Sequence, residues 1–271
     1  MTPSRKAPTT WQFMADLGVE ELPALTVPFD PGYDPATTEA HLEQSAHLMA
    51  MLKLSMACWI VADEKATKRK MAAAAANGVK VVSGGGPFEI SAANGRLPEF
   101  MDLCAGLGFS RIEAGEGFTD LQYTPTQILA MANERGLEVQ AELGGKHDGP
   151  FDEAATAAQI ARGREWLDAG AVEIVVEARE SASGVGLFAT DGTLDVAFAD
   201  RFADSFGLDH VVFEAPVKAS QFAMLNHFGP RVRLGNVRLE ELLRVEIYRR
   251  GLHSDAFGQP GLRPHPRAAR K

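Results

Sequence analysis

Short apolar runs alternate with longer amphipathic stretches eight times along this chain, and that count restricts the fold more than any single residue does. The apolar runs fall at 24–29, 51–55, 79–82, 110–113, 138–142, 172–177, 210–214 and 231–235. Runs of this length without inside/outside alternation read as parallel strands buried on both faces. The stretches between them, near 36–48, 63–76, 97–107, 125–135, 153–169, 194–205, 219–228 and 239–250, carry the helical period. Asn77-Gly78, Gly108, Gly136, Gly170, Gly207 and Gly229 stand where helices should stop, since glycine accepts the left-handed turn that ends a helix. Eight strand–helix units are the number that closes a parallel barrel. No GxGxxG opens the first unit, as an open dinucleotide-binding sheet would favour. We therefore expect a single-domain (β/α)8 TIM barrel over residues 21–257, preceded by an arm over 1–20 and followed by a Pro- and Arg-rich tail over 258–271.

The barrel fixes where to look for chemistry, because functional side chains gather where strands end and βα loops begin. Four consecutive apolar runs end in glutamate: Glu113, Glu142, Glu177 and Glu214. Equivalent positions in successive units form a ring. Grouped buried carboxylates repel one another and need either basic partners or a cation. Mg2+ suits such a set, because it prefers oxygen ligands and retains exchangeable waters. The other reading is a structural network with Lys53, Lys146 and Arg179.

Lys53 lies inside the apolar segment MAMLKLSM, where a lysine must be paired or functional. It could be a general acid or base, a phosphate ligand, a Schiff-base nucleophile or a salt-bridged barrel lysine. Lys146 follows Gly144-Gly145 and is either mobile and catalytic or merely solvated. In the segment ARESASGVGLF, Arg179 can fork an anion and the glycines can cradle one, or the segment is only a tight turn. Gly84-Gly85-Gly86 carries the same two readings. Asn236 ends the eighth run. Arg249 and Arg250 close the last helix, where they either meet a phosphate or complement the helix dipole. His147 and His253 have no ligand-spaced partner and are expected on the surface.

Composition narrows the classes further. A net charge of −9 disfavours nucleic acid and anionic membranes as partners. Cys58 and Cys104 form no CxxC pair, so neither zinc nor a disulfide framework is expected. No signal peptide and no run long enough to span a membrane is read, which places the chain in the cytoplasm.

Several segments resemble the phosphosulfolactate synthase family, which includes plant heat-stress-associated homologues. They are GGGPFEISAANGRLPEFMDLCAGLGFSRIEAGEG, AELGGK, VVEARESASGVGLF with Asp191-Gly192, VVFEAPVKASQ, RVRLGNV and EIYRRGLHSDAFG, and the likeness runs from about Leu25 to Gly258. The resemblance implies a Mg2+-dependent lyase that adds sulfite to phosphoenolpyruvate to give (2R)-3-phosphosulfolactate, a step toward coenzyme M or sulfolactate. It implies Glu142, Glu177 and Glu214 as metal ligands with Glu113 next. Lys146 is then the proton donor, with Lys53 second. Arg179, Ser181, Lys218, Asn236 and Arg249 become the substrate ligands.

The sequence departs from the family pattern at four places. Lys53 is followed by Leu54-Ser55-Met56-Ala57 instead of small glycines, and Asp30-Pro31-Gly32 lacks a lysine. Only one lysine follows the fifth run, and His253 and Ala256 replace an arginine and a threonine. A divergent paralogue acting on another small phosphorylated or carboxylated acid through an enolate, and a non-catalytic stress-related barrel, are the alternatives. The expected partners are small anionic substrates and further copies of the chain in a homo-oligomer.

Overall fold

A computed structural model describes residues 8–262. Eight parallel strands close into one barrel in sequence order. They are β1 (Thr26–Asp30), β2 (Leu52–Leu54), β3 (Val81–Ser83), β4 (Arg111–Gly115), β5 (Glu138–Leu143), β6 (Glu173–Val176), β7 (Val211–Glu214) and β8 (Arg233–Arg238). β8 returns to pair with β1, with Thr26 opposite Leu234 and Phe29 opposite Arg238. The fold is the (β/α)8 TIM barrel that the alternation predicts. Among the described residues, no helix is long and apolar enough to cross a membrane.

Strand parity divides each strand between two environments. Ile112, Val139, Ala141, Ile174 and Val176 face outward and join the main core against the helices. Val27, Met51 and Val82 form a separate small cluster on the other face of the sheet, inside the barrel. Each large side chain removed from water contributes roughly 1.5–3 kcal/mol, so the outward layer holds the helices in place. The helix Val196–Phe206 shows how: its buried residues are Ala199, Phe202 and Phe206, and Phe202 stacks on Phe151 at 5.7 Å. Helix boundaries follow local chemistry. Asp34, Asp152 and Asp195 cap the helices after them through their carboxylates. Gly108 and Gly170 end theirs at φ 93° and 112°, a conformation that costs an L side chain energy.

The structure corrects several sequence-based boundaries. The predicted 36–48 helix stops at Ser45 and tightens into a 3-10 turn over Ala46–Leu48. The predicted 239–250 helix begins as a 3-10 turn, Leu239–Glu241, before Leu242–Arg249. Gly84-Gly85-Gly86 is not a free loop: Gly84 is the N-cap of an additional helix, Gly85–Ala93. A short helix, Cys58–Val61, also follows β2. Within the expected 1–20 arm, Thr9 forms a capping box with Gln12 for the helix Thr10–Asp16, which buries no residue. Residues 1–7 of that arm and 263–271 of the expected tail lie outside the described residues.

Candidate active site

Inward parity at the C-terminal strand ends delivers the acidic ring. Glu113 lies in β4, Glu142 in β5 and Glu214 at the end of β7, and Glu177 directly follows β6. All four are buried. They open onto a cavity of about 550 Å³ that Lys53, Lys146, Arg179, Ser181 and Asn236 also line. Sequence reading thus places most of its candidates around one pocket.

Two candidates lie elsewhere. Arg249 is fully buried, and its guanidinium donates to Thr26 Oγ1, Glu246 Oε1 and the carbonyls of Pro230 and Val232. Apart from Glu246 on its own helix, those partners sit at or just before the starts of β1 and β8, the opposite end of the barrel, so Arg249 holds the closure of the sheet and cannot reach substrate. Lys218 begins the helix Lys218–Phe228, is half exposed, and pairs with Asp255 at 2.9 Å. It does not line the cavity. The expected substrate ligands Lys218, after β7, and Arg249, on the last helix, therefore need correcting.

The four glutamates differ in commitment. Glu113 is spent on protein partners: Oε1 takes Lys53 Nζ at 2.7 Å and Gly85 N at 2.9 Å, and Oε2 takes Gln140 Nε2 at 2.8 Å. Its expected place as a reserve metal ligand is corrected on that ground. Glu142, Glu177 and Glu214 each present an oxygen, and the three oxygens lie within 4.8 Å of one another. Glu214 also accepts from Ala178 N at 2.9 Å, and Glu177 Oε1 from Arg179 N at 2.5 Å. Glu177 Oε2 is buried with no hydrogen-bond donor. Opposite ligands of octahedral Mg2+ are roughly 4.2 Å apart, and those of Ca2+ roughly 5 Å. Three buried carboxylate oxygens gathered this closely fit a hard divalent cation.

Two glycines leave room for the charged side-chain ends beside this triad. A Cβ on Gly85 would come within 2.8 Å of Glu142 Oε2, and one on Gly117 within 2.8 Å of Lys146 Cε.

Two lysines offset the ring incompletely. Lys53 Nζ lies 3.4 Å from Glu214 besides its contact with Glu113. Lys146 Nζ lies 3.5 Å from both Glu142 and Glu177. Burial works to lower both ammonium pKa values, but the facing carboxylates outweigh it and hold both well above the ordinary lysine value. Burial pushes Glu142 up to about 7, assisted by the charge of Glu177. Burial also raises Glu113, Glu177 and Glu214. Charged lysines among reluctant carboxylates line the cavity, and Lys146 is the less buried of the two.

The backbone carries strain at the same place. Met56, Arg179 and Asn236 adopt φ of 49°, 56° and 49°, and all three line the cavity. Left-handed conformations of non-glycine residues cost on the order of 1 kcal/mol each and collect at functional sites. Arg179 is also tied to Lys146, donating Nη1 to its carbonyl at 2.9 Å.

One residue that sequence reasoning missed organises the rim. Glu89, on the helix Gly85–Ala93, is fully buried. Its Oε2 accepts from Phe118 N at 2.9 Å, Thr119 N at 3.0 Å and Thr119 Oγ1 at 3.2 Å. This holds Phe118 over the pocket, with Lys146 Nζ 5.7 Å from its ring centroid. The signal was a glutamate on the apolar face beside Phe88 and Ala92.

A family model for (2R)-phospho-3-sulfolactate synthase (ComA) matches residues 23–255, nearly the whole barrel. The chain belongs to the phosphosulfolactate synthase family. A curated phosphosulfolactate synthase from Methanocaldococcus jannaschii is 32% identical over 236 residues, covering 87% of this chain and 94% of that one. One from Methanothermobacter thermautotrophicus is 28% identical over 240 residues, covering 88% and 93%. One from Bacillus subtilis is 30% identical over 184 residues, covering 64% and 69%. Solved structures similar to this one include a putative fructose-1,6-biphosphate aldolase from Coccidioides immitis. It has TM-score 0.54 and 15% identity, covering 93% of this chain and 88% of that one. The YdjI aldolase from Escherichia coli K12 has TM-score 0.54 and 11% identity, covering 89% and 84%. Those structures share the barrel alone. The family assignment makes the chain kin to enzymes, and the match spans the strands that carry the acidic ring.

Proposed function

We propose that this family member is a lyase of the phosphosulfolactate synthase type, joining sulfite to phosphoenolpyruvate with Mg2+ at the triad. The observation that carries this reading is the buried Glu142–Glu177–Glu214 cluster with Lys146 Nζ 3.5 Å from two of its members.

In the reaction, the sulfur lone pair of sulfite attacks carbon 3. A C–S bond forms, and the C2–C3 π electrons move toward the carboxylate. A proton then adds to carbon 2, and phosphate stays on its oxygen. The residues divide these tasks. Lys146 delivers the proton to carbon 2 and recovers it from solvent. Arg179 holds an anionic group with its free guanidinium edge, and Ser181 and Asn236 line the same wall. Lys53 keeps Glu113 and Glu214 in place and lies too deep to be the first proton donor. Phe118 limits water above the pocket. Mg2+ held by Glu142, Glu177 and Glu214 would supply positive charge where the substrate carboxylate gains negative charge.

The purified protein is to be mixed with phosphoenolpyruvate, sulfite and Mg2+, following loss of enol absorbance. Turnover that EDTA abolishes supports the proposal. Mg2+ binding without turnover, coupled to binding of another small phosphorylated or carboxylated acid, would instead support a divergent paralogue. No metal or anion binding at all would remove catalysis from this site.

A further inference from the structure

Beside the main cavity lies a smaller one of about 80 Å³, set between the ends of β1 and β8 and the segment after β6. Ser55, Arg179, Glu180 and Asn236 line both spaces, so the two are continuous. Its own contribution is Arg238, the last residue of β8, which stands opposite Phe29 of β1 in the sheet register. The Arg238 guanidinium lies 5.6 Å from the Phe29 ring centroid, and its Nε donates to Glu240 Oε1 at 2.8 Å. These two contacts and a hydrogen bond with Tyr33 hold the guanidinium at the wall of the side cavity. Arg179 is fixed in the same manner, by a strained backbone and one bond from Nη1 to the Lys146 carbonyl.

The charge distribution says what this space can take. Among the described residues lining the two cavities, the cations are Lys53, Lys146, Arg179 and Arg238. Both lysines are spent on the acidic ring. A substrate with two anionic groups can place one against the ring through a divalent cation. The second needs cations elsewhere, and the arginines supply them: Arg179, held only by a carbonyl, and Arg238, which shares its charge with Glu240. Guanidinium forks match tetrahedral oxyanions two oxygens at a time. The side cavity, about 80 Å³, has room for one such group beside the main cavity.

We infer that the side cavity is an anion subsite built by Arg238 and Arg179, and that it receives the phosphoryl group of the substrate. Arg238 is then the specificity residue for a phosphorylated acid over an unphosphorylated one. This inference rests on the synthase reading for the identity of the substrate, but not for the existence of the subsite. Glu180 on the shared wall and Glu240, paired with Arg238 at 2.8 Å, both work against the anion.

The test begins with calorimetric titration of inorganic phosphate into metal-free protein. Wild type binds; Arg238→Gln weakens binding at least tenfold, Arg238→Lys recovers part of it, and Glu180→Gln tightens it severalfold. Arg238 is partly exposed, so these variants should fold. In the enzyme assay, Arg238→Gln raises KM for phosphoenolpyruvate at least tenfold and leaves KM for sulfite near its starting value. Unchanged phosphate affinity and unchanged KM for phosphoenolpyruvate would overturn the subsite. A rise in KM for sulfite alone would overturn the phosphoryl assignment. Arg238-dependent phosphate binding in a protein with no sulfite-adding activity would keep the subsite and reject the synthase reading.

Discussion

At the N-terminal end of the barrel, Arg111 and Arg233 grip Glu173 at 2.5 and 2.7 Å, and Arg111 also holds Glu138 at 2.8 Å. At the C-terminal end, Glu113, Glu142, Glu177 and Glu214 face Lys53 and Lys146, and the contacts of Lys146 stretch to 3.5 Å. Both ends are buried and charged, and they sit on the same strands. Gln140 links them, accepting from Arg111 Nη1 at 3.3 Å and donating to Glu113 at 2.8 Å. The lower cluster is matched in charge and in hydrogen bonds. The upper one keeps surplus negative charge, and Lys146 reaches Glu142 and Glu177 only at 3.5 Å. A protein gains nothing in stability from the upper arrangement. The difference teaches that burial of charge alone does not mark a site; imbalance next to a cavity does.

The sharpest break of that comparison is at the lower end. Glu173→Gln leaves Arg233 without its carboxylate and Arg111, mostly buried like it, with Glu138 alone. Removing one partner of such a pair costs about 3–5 kcal/mol. For a chain of this size that is a fall in Tm of roughly 6–20 °C. Mg2+ affinity of the folded fraction should not change. A variant with wild-type Tm would mean that the lower cluster is not structural.

Glu142→Gln should do the reverse. Turnover is expected to fall about 10²–10³-fold, or ~3–4 kcal/mol in transition-state terms, and calorimetry should show weaker Mg2+ binding. Tm should stay level or rise, because one of three mutually repelling acids is gone. Loss of stability with intact metal binding would place Glu142 with Glu173 as a structural group.

The pH dependence of the metal-free protein separates the two ends again. Burial and Glu177 raise the Glu142 carboxyl to about 7 from an ordinary value of 4.5. Between those values the folded state holds more protons than the unfolded one, so stability falls as pH rises. The contribution is fully present below pH 4.5 and is lost through pH 7. Metal-free protein should therefore lose on the order of 1–3 kcal/mol between pH 5 and pH 8. Mg2+ at a hundred times its Kd should return about 2.7 kcal/mol at pH 8. A Glu142→Gln variant with the same pH slope would show that the slope arises elsewhere.

How far the sequence reveals all this depends on what each residue's position encodes. The strand count and the acidic ring were legible because period and parity are local: four runs ending in glutamate must turn those side chains the same way. Lys53 was legible as a charge inside an apolar run. Arg249 misled because its position near the end of the last helix says nothing about which end of the barrel that helix reaches. The chain returns downward after β8, so the helix ends at the floor. Arg238 was overlooked for the converse reason: it lies two residues past Asn236, yet only the pairing of β8 with β1 shows that it shares a wall with Arg179. Glu89 needed the loop it anchors, which comes from the following unit.

Lys218 gives the smallest effect and tests whether proximity in sequence was mistaken for proximity in space. It follows Glu214 by four residues, which suggested a substrate ligand. The structure gives it an exposed pair with Asp255 and a position 5.1 Å from the centroid of the Phe222 ring. Exposed pairs contribute about 0–1 kcal/mol and weaken with salt. Lys218→Ala should thus change Tm by no more than a few degrees, with a smaller change at 0.5 M salt, and leave KM for phosphoenolpyruvate and sulfite within about twofold. A tenfold rise in either KM would mean that this side chain leaves Asp255 during turnover and reaches the substrate. The upper cluster would then draw on a third cation, and its surplus of negative charge would be smaller than the resting geometry indicates.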